Sequence, residues 1–148
     1  MERVSFTAEF AEIPIAISCP SPEVRAFCSD YITERPPVFS LSVTEADIAA
    51  EFAGEGNTRL PLLREISALH RQISEMLPLY GRLLVHGAAI TFRDGAYLFC
   101  APSGTGKSTH ISLWKRYLGD SVDIINGDKP FLSLEDGPAG CLLYTSPS

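Results

Sequence analysis

Between a short apolar run and an amphipathic one, this 148-residue chain carries Ala101-Pro-Ser-Gly-Thr-Gly-Lys-Ser-Thr109. No other stretch restricts its possible folds as much. Glycine has no Cβ, so Gly104 and Gly106 can adopt positive φ and bring the backbone N–H groups of Ser103-Gly104-Thr105-Gly106 close around oxygen atoms. Lys107 can reach the outer phosphates of a polyphosphate, and the Ser108 hydroxyl can ligate Mg²⁺; Ser103 to Thr109 together form the cradle. The run His110 to Leu118 that follows reads as a helix, whose positive N-terminal end would face the phosphates. Ahead of the loop, Gly95-Ala-Tyr-Leu-Phe-Cys100 reads as a strand. Strand, loop, helix is the order that a phosphate-binding loop requires. Ala101 replaces the usual first glycine at the point where the chain leaves the strand, the position least involved in phosphate contact.

A chain with 45% hydrophobic residues can bury one core, so a single domain or a domain and a half is expected. The net charge of −6 and a pI near 5.0 argue against nucleic-acid binding, because no Lys/Arg stripe is present to neutralise phosphates. The start, Met1-Glu2-Arg3-Val4, does not read as a signal peptide, and no apolar run approaches the ~18 residues of a membrane span. A cytoplasmic protein that binds no membrane is expected. Cys19, Cys28 and Cys100 form no close-spaced metal pair and read as reduced thiols, Cys100 being expected buried at a strand end.

The last residues, Cys141-Leu-Leu-Tyr-Thr-Ser-Pro-Ser148, back-translate as TGT CTC TTA TAC ACA TCT CCG AGC. That string matches the read-through of a transposon-type sequencing adaptor, with its preceding C supplied by a GGC codon for Gly140. The expectation is that native sequence stops near Gly140, that 141–148 add no helix or strand, and that the polypeptide is a fragment with an unpaired sheet edge, poor solubility and no turnover.

The coarse organisation is an N-terminal α+β region over 1–80, without an assignable motif, followed by the first part of a nucleotide-binding domain over 81–140. Residues 3 to 18 read as two strands, with Pro14 suggesting an edge. Pro20-Ser21-Pro22 opens a short helix through Tyr31, and Pro36-Pro37 ends it before the strand Val38 to Val43. Thr44 caps a second helix with Asp47 three residues on. Gly54 to Asn57 reads as a loop. From Leu60, apolar residues recur at helical spacing through Leu63, Ile66, Leu69 or His70, Ile73, Met76 or Leu77 and Tyr80, giving the longest helix over 60–79; its stripe suits core packing, with a dimer seam as the alternative. Leu83 to Ile90 reads as one apolar strand containing His86, joined by the Arg93-Asp94-Gly95 turn to the strand entering the loop. Val122 to Ile125 is a further strand, Asn126-Gly127 a turn, and Phe131 to Leu134 its hairpin partner.

Three ordered motifs, Val85-His86-Gly87-Ala88-Ala89, Ala101 to Thr109 and Ile124-Ile125-Asn126-Gly127-Asp128-Lys129, resemble the HPr serine kinase and phosphoenolpyruvate carboxykinase-like group of P-loop enzymes. The resemblance is greatest to small HPr-kinase-related bacterial proteins and covers about residues 81 to 135. It implies an α/β fold of the P-loop nucleotide-binding type, here incomplete, that binds ATP and Mg²⁺. It also implies that His86 lies near the active centre and that Asp128 serves as general base or metal ligand, beside Lys107 and Ser108. HPr kinases have two adjacent aspartates where this chain has Gly127-Asp128, so a single carboxylate faces two tasks. His86 as a core histidine and Asp128 as a plain turn residue are the structural alternatives, and His110 and Trp114 suit a surface or core role.

The sequence therefore predicts an ATP-dependent phosphotransferase acting on a protein serine or a small hydroxyl compound. Alternatives are a regulatory nucleotide-binding protein without phosphotransfer and a carboxykinase-like decarboxylase. A homo-oligomer is a further possibility for the intact protein.

Overall fold

Alternating apolar residues form the first two strands, β1 (Val4–Phe10) and β2 (Ile13–Cys19), which pair antiparallel from Val4↔Cys19 to Phe10↔Ile13. The structure, a computed structural model, describes residues 3–51 and 60–134 and the backbone of 142–144. The expected loop at Gly54 to Asn57 lies outside the described residues. Ala11 and Glu12 make the tight turn between β1 and β2, with φ of 50° and 67°. Such a turn needs left-handed residues, which costs non-glycine positions roughly 1–2 kcal/mol each.

Pro14 was expected at a sheet edge but lies in the central strand, because the order is β1-β2-β3 with β3 (Phe39–Ser42) parallel to β2. Position removes the penalty. The β2/β3 register starts one residue later, at Ile15↔Phe39, and Pro14 contributes only its carbonyl, which accepts the Val38 N–H at 2.8 Å.

The first helix, α1 (Pro22–Phe27), gives way to a separate 3₁₀ turn at Ser29–Tyr31 rather than continuing unbroken. In α2 (Glu45–Ala50) the capping box forms as expected: Thr44 Oγ1 accepts the Asp47 N–H, and Asp47 Oδ2 accepts the Thr44 N–H at 2.8 Å. The long helix is α3 (Pro61–Met76), followed by a 3₁₀ turn over Leu77–Tyr80. Its buried face runs through Glu65, Ala68, Leu69 and Ile73 and on to Leu77 of the 3₁₀ turn; Leu69, Ile73 and Leu77 are buried as the spacing predicts, while Leu63 stays 46% exposed. Glu65 faces inward because its carboxylate accepts the Ser21 N–H at 2.8 Å and the Ser21 hydroxyl at 2.5 Å, satisfying the start of α1. Burial pushes the Cys19 and Cys28 thiols up to about 11, consistent with inert reduced groups.

The chain divides into two compact units, Met1–Tyr80 and Gly81–Ser148. Both mix helices with small sheets. The second contains β4 (Arg82–Leu84), β5 (Gly87–Phe92), β6 (Gly95–Cys100), α4 (Lys107–Leu118), β7 (Val122–Asn126), β8 (Phe131–Ser133) and β9 (Leu142–Tyr144). Its two sheets have the orders β6-β5-β7 and β4-β8-β9.

Three sequence expectations change here. The apolar run Leu83 to Ile90 is two strands, β4 and β5, interrupted at Val85-His86. The run Phe131 to Leu134 does not fold back on β7; β8 pairs with β4 instead, from Arg82↔Ser133 to Leu84↔Phe131. Leu142–Tyr144, expected to add no element, pairs antiparallel with the other side of β8. An apolar Leu-Leu-Tyr run has the residue types that suit a strand, and it lies against a strand side that β4 leaves open.

Helix α4 covers one face of the β6-β5-β7 sheet. Ile111 packs on Ala88, Ile90 and Val122, with Phe92, Phe99 and Trp114 at the margin. Burial of each large aliphatic side chain there contributes about 1.5–3 kcal/mol, which fixes α4, and hence the loop ahead of it, to the sheet. Among the described residues, no helix is long and apolar enough to cross a membrane.

Candidate functional site

Strand β5 runs antiparallel to both β6 and β7, so β6 and β7 are parallel to each other, one strand apart. The chain therefore leaves β6 and β7 at the same sheet edge at which it enters β5. Gly87 pairs with Cys100 and Ala89 with Asn126, so His86, the loop after Cys100 and the turn after Asn126 all gather at that edge. The three sequence motifs, far apart in the chain, are brought together by topology alone.

The loop takes the shape its glycines allow. Gly104 and Gly106 have φ of 80° and 92°, and Gly106 is the N-cap of α4. No side chain caps that helix, so its first amide groups are not claimed by one. Thr105 Oγ1 donates to the Pro102 carbonyl at 2.8 Å, and the Lys107 ammonium folds back to donate to Ala101 O at 2.7 Å and Pro102 O at 3.1 Å. A positive charge thus lies across the loop, while Ser103, Gly104, Thr105, Gly106, Ser108 and Thr109 are exposed around it.

His86 and Asp128 meet. The β4/β8 register continues past Leu84↔Phe131, with the Val85 N–H donating to Pro130 O at 3.0 Å and the Gly87 N–H to Asp128 O at 2.8 Å. Regular pairing stops there because Pro130 has no N–H to return and the Asp128 N–H is taken by Asn126 Oδ1 at 2.8 Å. This explains the interruption in the expected strand. It places His86 on the paired segment, with Nε2 3.4 Å from Asp128 Oδ1 and the two side chains 47% and 59% exposed. That separation lies beyond the usual range of an N–H···O hydrogen bond and within that of an ion-pair contact. His86 is thus neither sealed in a core nor distant from the carboxylate.

Sequence reasoning missed what holds Asp128 in place. Asn126, 8% exposed, accepts from the backbone N–H groups of both Asp128 and Lys129 at 2.8 Å. The signal was present, since an Asn at the head of such a turn bonds its own backbone two and three residues on. Gly127 passes beside α4, and a Cβ there would lie 4.0 Å from Ile111 Cδ1. Cys100 is exposed rather than buried, because it ends an edge strand. His110 and Trp114 hold a packing role: Trp114 Nε1 donates to His110 Nε2 at 3.2 Å, and both rings contact Phe99.

Chemically, the edge combines the exposed glycine-rich loop, the Lys107 ammonium, a carboxylate beside an imidazole, and a serine hydroxyl. The donors Ser108 and Asp128 are exposed oxygens, the class that suits Mg²⁺, which takes one or two carboxylates and completes its shell with phosphate and water oxygens. Among the described residues, no three His, Cys, Asp or Glu side chains cluster as a metal site of their own. Searches against protein-family models and curated proteins find no match to this chain.

Proposed function

We propose that the intact protein binds Mg-ATP at the loop Ser103 to Thr109 and transfers a phosphoryl group to a hydroxyl, on a protein serine or a small molecule, as the resemblance to HPr kinase-like enzymes suggests. The observation that carries the reading is the convergence of that loop with the His86–Asp128 pair, 3.4 Å apart, at one sheet edge. A phosphate-binding motif by itself binds; a carboxylate and an imidazole at the same edge add a means of moving a proton.

In this reading the loop amides and the first turn of α4 hold the phosphates, and Lys107 swings from the Ala101 and Pro102 carbonyls to the charge on the transferring group. Asp128 accepts the proton of the acceptor hydroxyl, and His86 shares or relays it. Ser108 and Asp128 are the side chains that would hold Mg²⁺, whose contribution when bound is to neutralise phosphate charge. Positioning and electrostatics account for most of the rate in such a reaction.

Calorimetric titration with Mg-ATP tests the reading. The protein is expected to bind, and Lys107→Ala to lose most of the affinity, because the Lys107 ammonium is the charge that lies across the loop. Undiminished affinity in that variant would refute the assignment of the loop.

A further inference from the structure

Gly87 opens β5, is buried, and stands where three segments of the site meet. It follows His86 directly, pairs with Cys100 at the end of β6, and donates its N–H to Asp128 O at 2.8 Å. In a regular strand pair the Cβ stands out of the pleat and clears the neighbouring backbone. Here it would not. A Cβ on Gly87 would lie 2.9 Å from Leu98 Cδ1, 3.0 Å from the Phe99 carbonyl oxygen and 3.3 Å from Cys100 Sγ, all on the end of β6 that leads into the loop. We propose that Gly87 is a positioning residue: without a Cβ it lets β5 close on the end of β6, and it thereby sets the separation between the His86–Asp128 pair and the loop Ser103 to Thr109. The proposal rests on the phosphotransfer reading above and adds to it the residue that holds the two halves of the site in register.

Closeness, not backbone freedom, is what this glycine supplies. Its φ lies outside the left-handed region, unlike those of Gly104 and Gly106, at which a Cβ would meet nothing within 4 Å. At Gly95, the other end of the same hairpin, a Cβ would be 3.5 Å from Tyr97 Cε2, an ordinary contact.

The obstacles are of two kinds. Leu98 Cδ1 is the end of a flexible side chain and can turn away. The Phe99 carbonyl is backbone, in the pair Ala88↔Phe99, so it can give only by moving the end of β6 away from β5. Such a movement carries Cys100 and Ala101, whose carbonyl holds the Lys107 ammonium at 2.7 Å. His86 stays with β5 as its covalent neighbour, and Asp128 O stays with the Gly87 N–H. A Cβ at this position therefore alters the spacing between loop and pair while leaving each intact. These contacts set a shift of a few tenths of an ångström, and since misplacing reacting groups by about 1 Å costs roughly 10²-fold, transfer should slow about three- to tenfold.

Water can stand in for the acceptor hydroxyl, so single-turnover hydrolysis of Mg-ATP to ADP and phosphate by the intact protein reads transfer, and calorimetry reads binding. Gly87→Ala, which its φ allows to fold, is expected to hydrolyse about three- to tenfold more slowly with Mg-ATP affinity within about twofold, the mark of positioning felt only in the transition state. Leu98→Ala removes the closest of the three contacts, and Gly87→Ala added to it should slow hydrolysis by the same factor, because the Phe99 carbonyl remains in place. Thermal unfolding shows which variants are folded, and where Gly87→Ala alone is not, Leu98→Ala with and without it carries the comparison. Unchanged hydrolysis in Gly87→Ala would overturn the proposal and leave the phosphotransfer reading intact. Full recovery in the double variant would do the same, making Gly87 no more than room for Leu98, as would joint loss of affinity and hydrolysis, making it part of the loop's own shape. If Gly87→Ala fails to fold in both backgrounds, the residue belongs to the fold and the proposal falls. An unaltered protein that does not hydrolyse Mg-ATP defeats the phosphotransfer reading, and the positioning role with it.

Discussion

Asn126 offers the most direct test of how the site is built. Its Oδ1 accepts two backbone N–H groups, those of Asp128 and Lys129, each at 2.8 Å, and the residue is 8% exposed. Asn126→Ala removes the acceptor from both amides at once. Each such bond contributes about 1 kcal/mol net, and an amide left without a partner away from water costs about 1–3 kcal/mol. The two amides are partly buried, so solvent can recover some of the loss. A destabilisation of about 2 kcal/mol is therefore expected in urea unfolding followed by Trp114 emission, with the slope of the transition unchanged. Asn126→Asp keeps an oxygen in place and should lose less than half as much. At a temperature where both variants remain folded, the alanine form should also show slower phosphoryl transfer, because the turn that carries Asp128 is no longer held. A loss below about 0.5 kcal/mol for the alanine variant would refute the argument that this side chain organises the turn.

Asp128→Asn should lower phosphoryl transfer by about 10²-fold or more and leave ATP affinity within a few-fold, as expected of a positioned base, and steady-state kinetics beside calorimetry decide it. Cys100, exposed at the end of β6, should be alkylated at pH 8 well before Cys19 and Cys28, whose burial holds their thiols near 11 and so protonated. Peptide mass mapping after a brief treatment of the folded protein reads the order, and equal labelling of the three would contradict the burial.

Much of this architecture is legible in the sequence where the signal is local. The Thr44–Asp47 capping box, the Gly95 to Cys100 strand and the Arg93-Asp94 turn each depend on a few neighbouring residues, and each forms as read. The misread features depend on partners distant in the chain. Pro14 is tolerated in a central strand only because β3 begins pairing one residue later, and that register is invisible in the residues around Pro14. Glu65 is buried because Ser21, 44 residues earlier, presents two donors to it. The interruption at Val85-His86 depends on Pro130 and Asn126, so periodicity alone reads one strand where there are two. At the site, the residue types were legible from the motifs. Their meeting required the antiparallel placement of β5 between β6 and β7, which no spacing rule supplies.

In the phosphotransfer reading proposed above, that placement also bears on how one carboxylate can serve where HPr kinases have two. Neither backbone nor space excludes a side chain at Gly127, whose φ lies outside the left-handed region and whose Cβ direction meets only Ile111 Cδ1 at 4.0 Å. The missing aspartate is therefore not a steric demand of the turn. What stands beside Asp128 in this chain comes from across the paired segment, His86 Nε2 at 3.4 Å. An imidazole can hold the proton that a second carboxylate would take. The proton task can thus be divided, with Asp128 taking the acceptor proton and His86 relaying it. The Asp128→Asn variant distinguishes this division from one in which Asp128 holds charge. Joint loss of Mg²⁺-dependent binding and transfer makes Asp128 the charge-holding group and His86 the proton carrier, whereas loss of transfer alone makes Asp128 the base. Loss of neither returns Asp128 to the role of a turn residue, and the convergence at the sheet edge would then be architecture without chemistry.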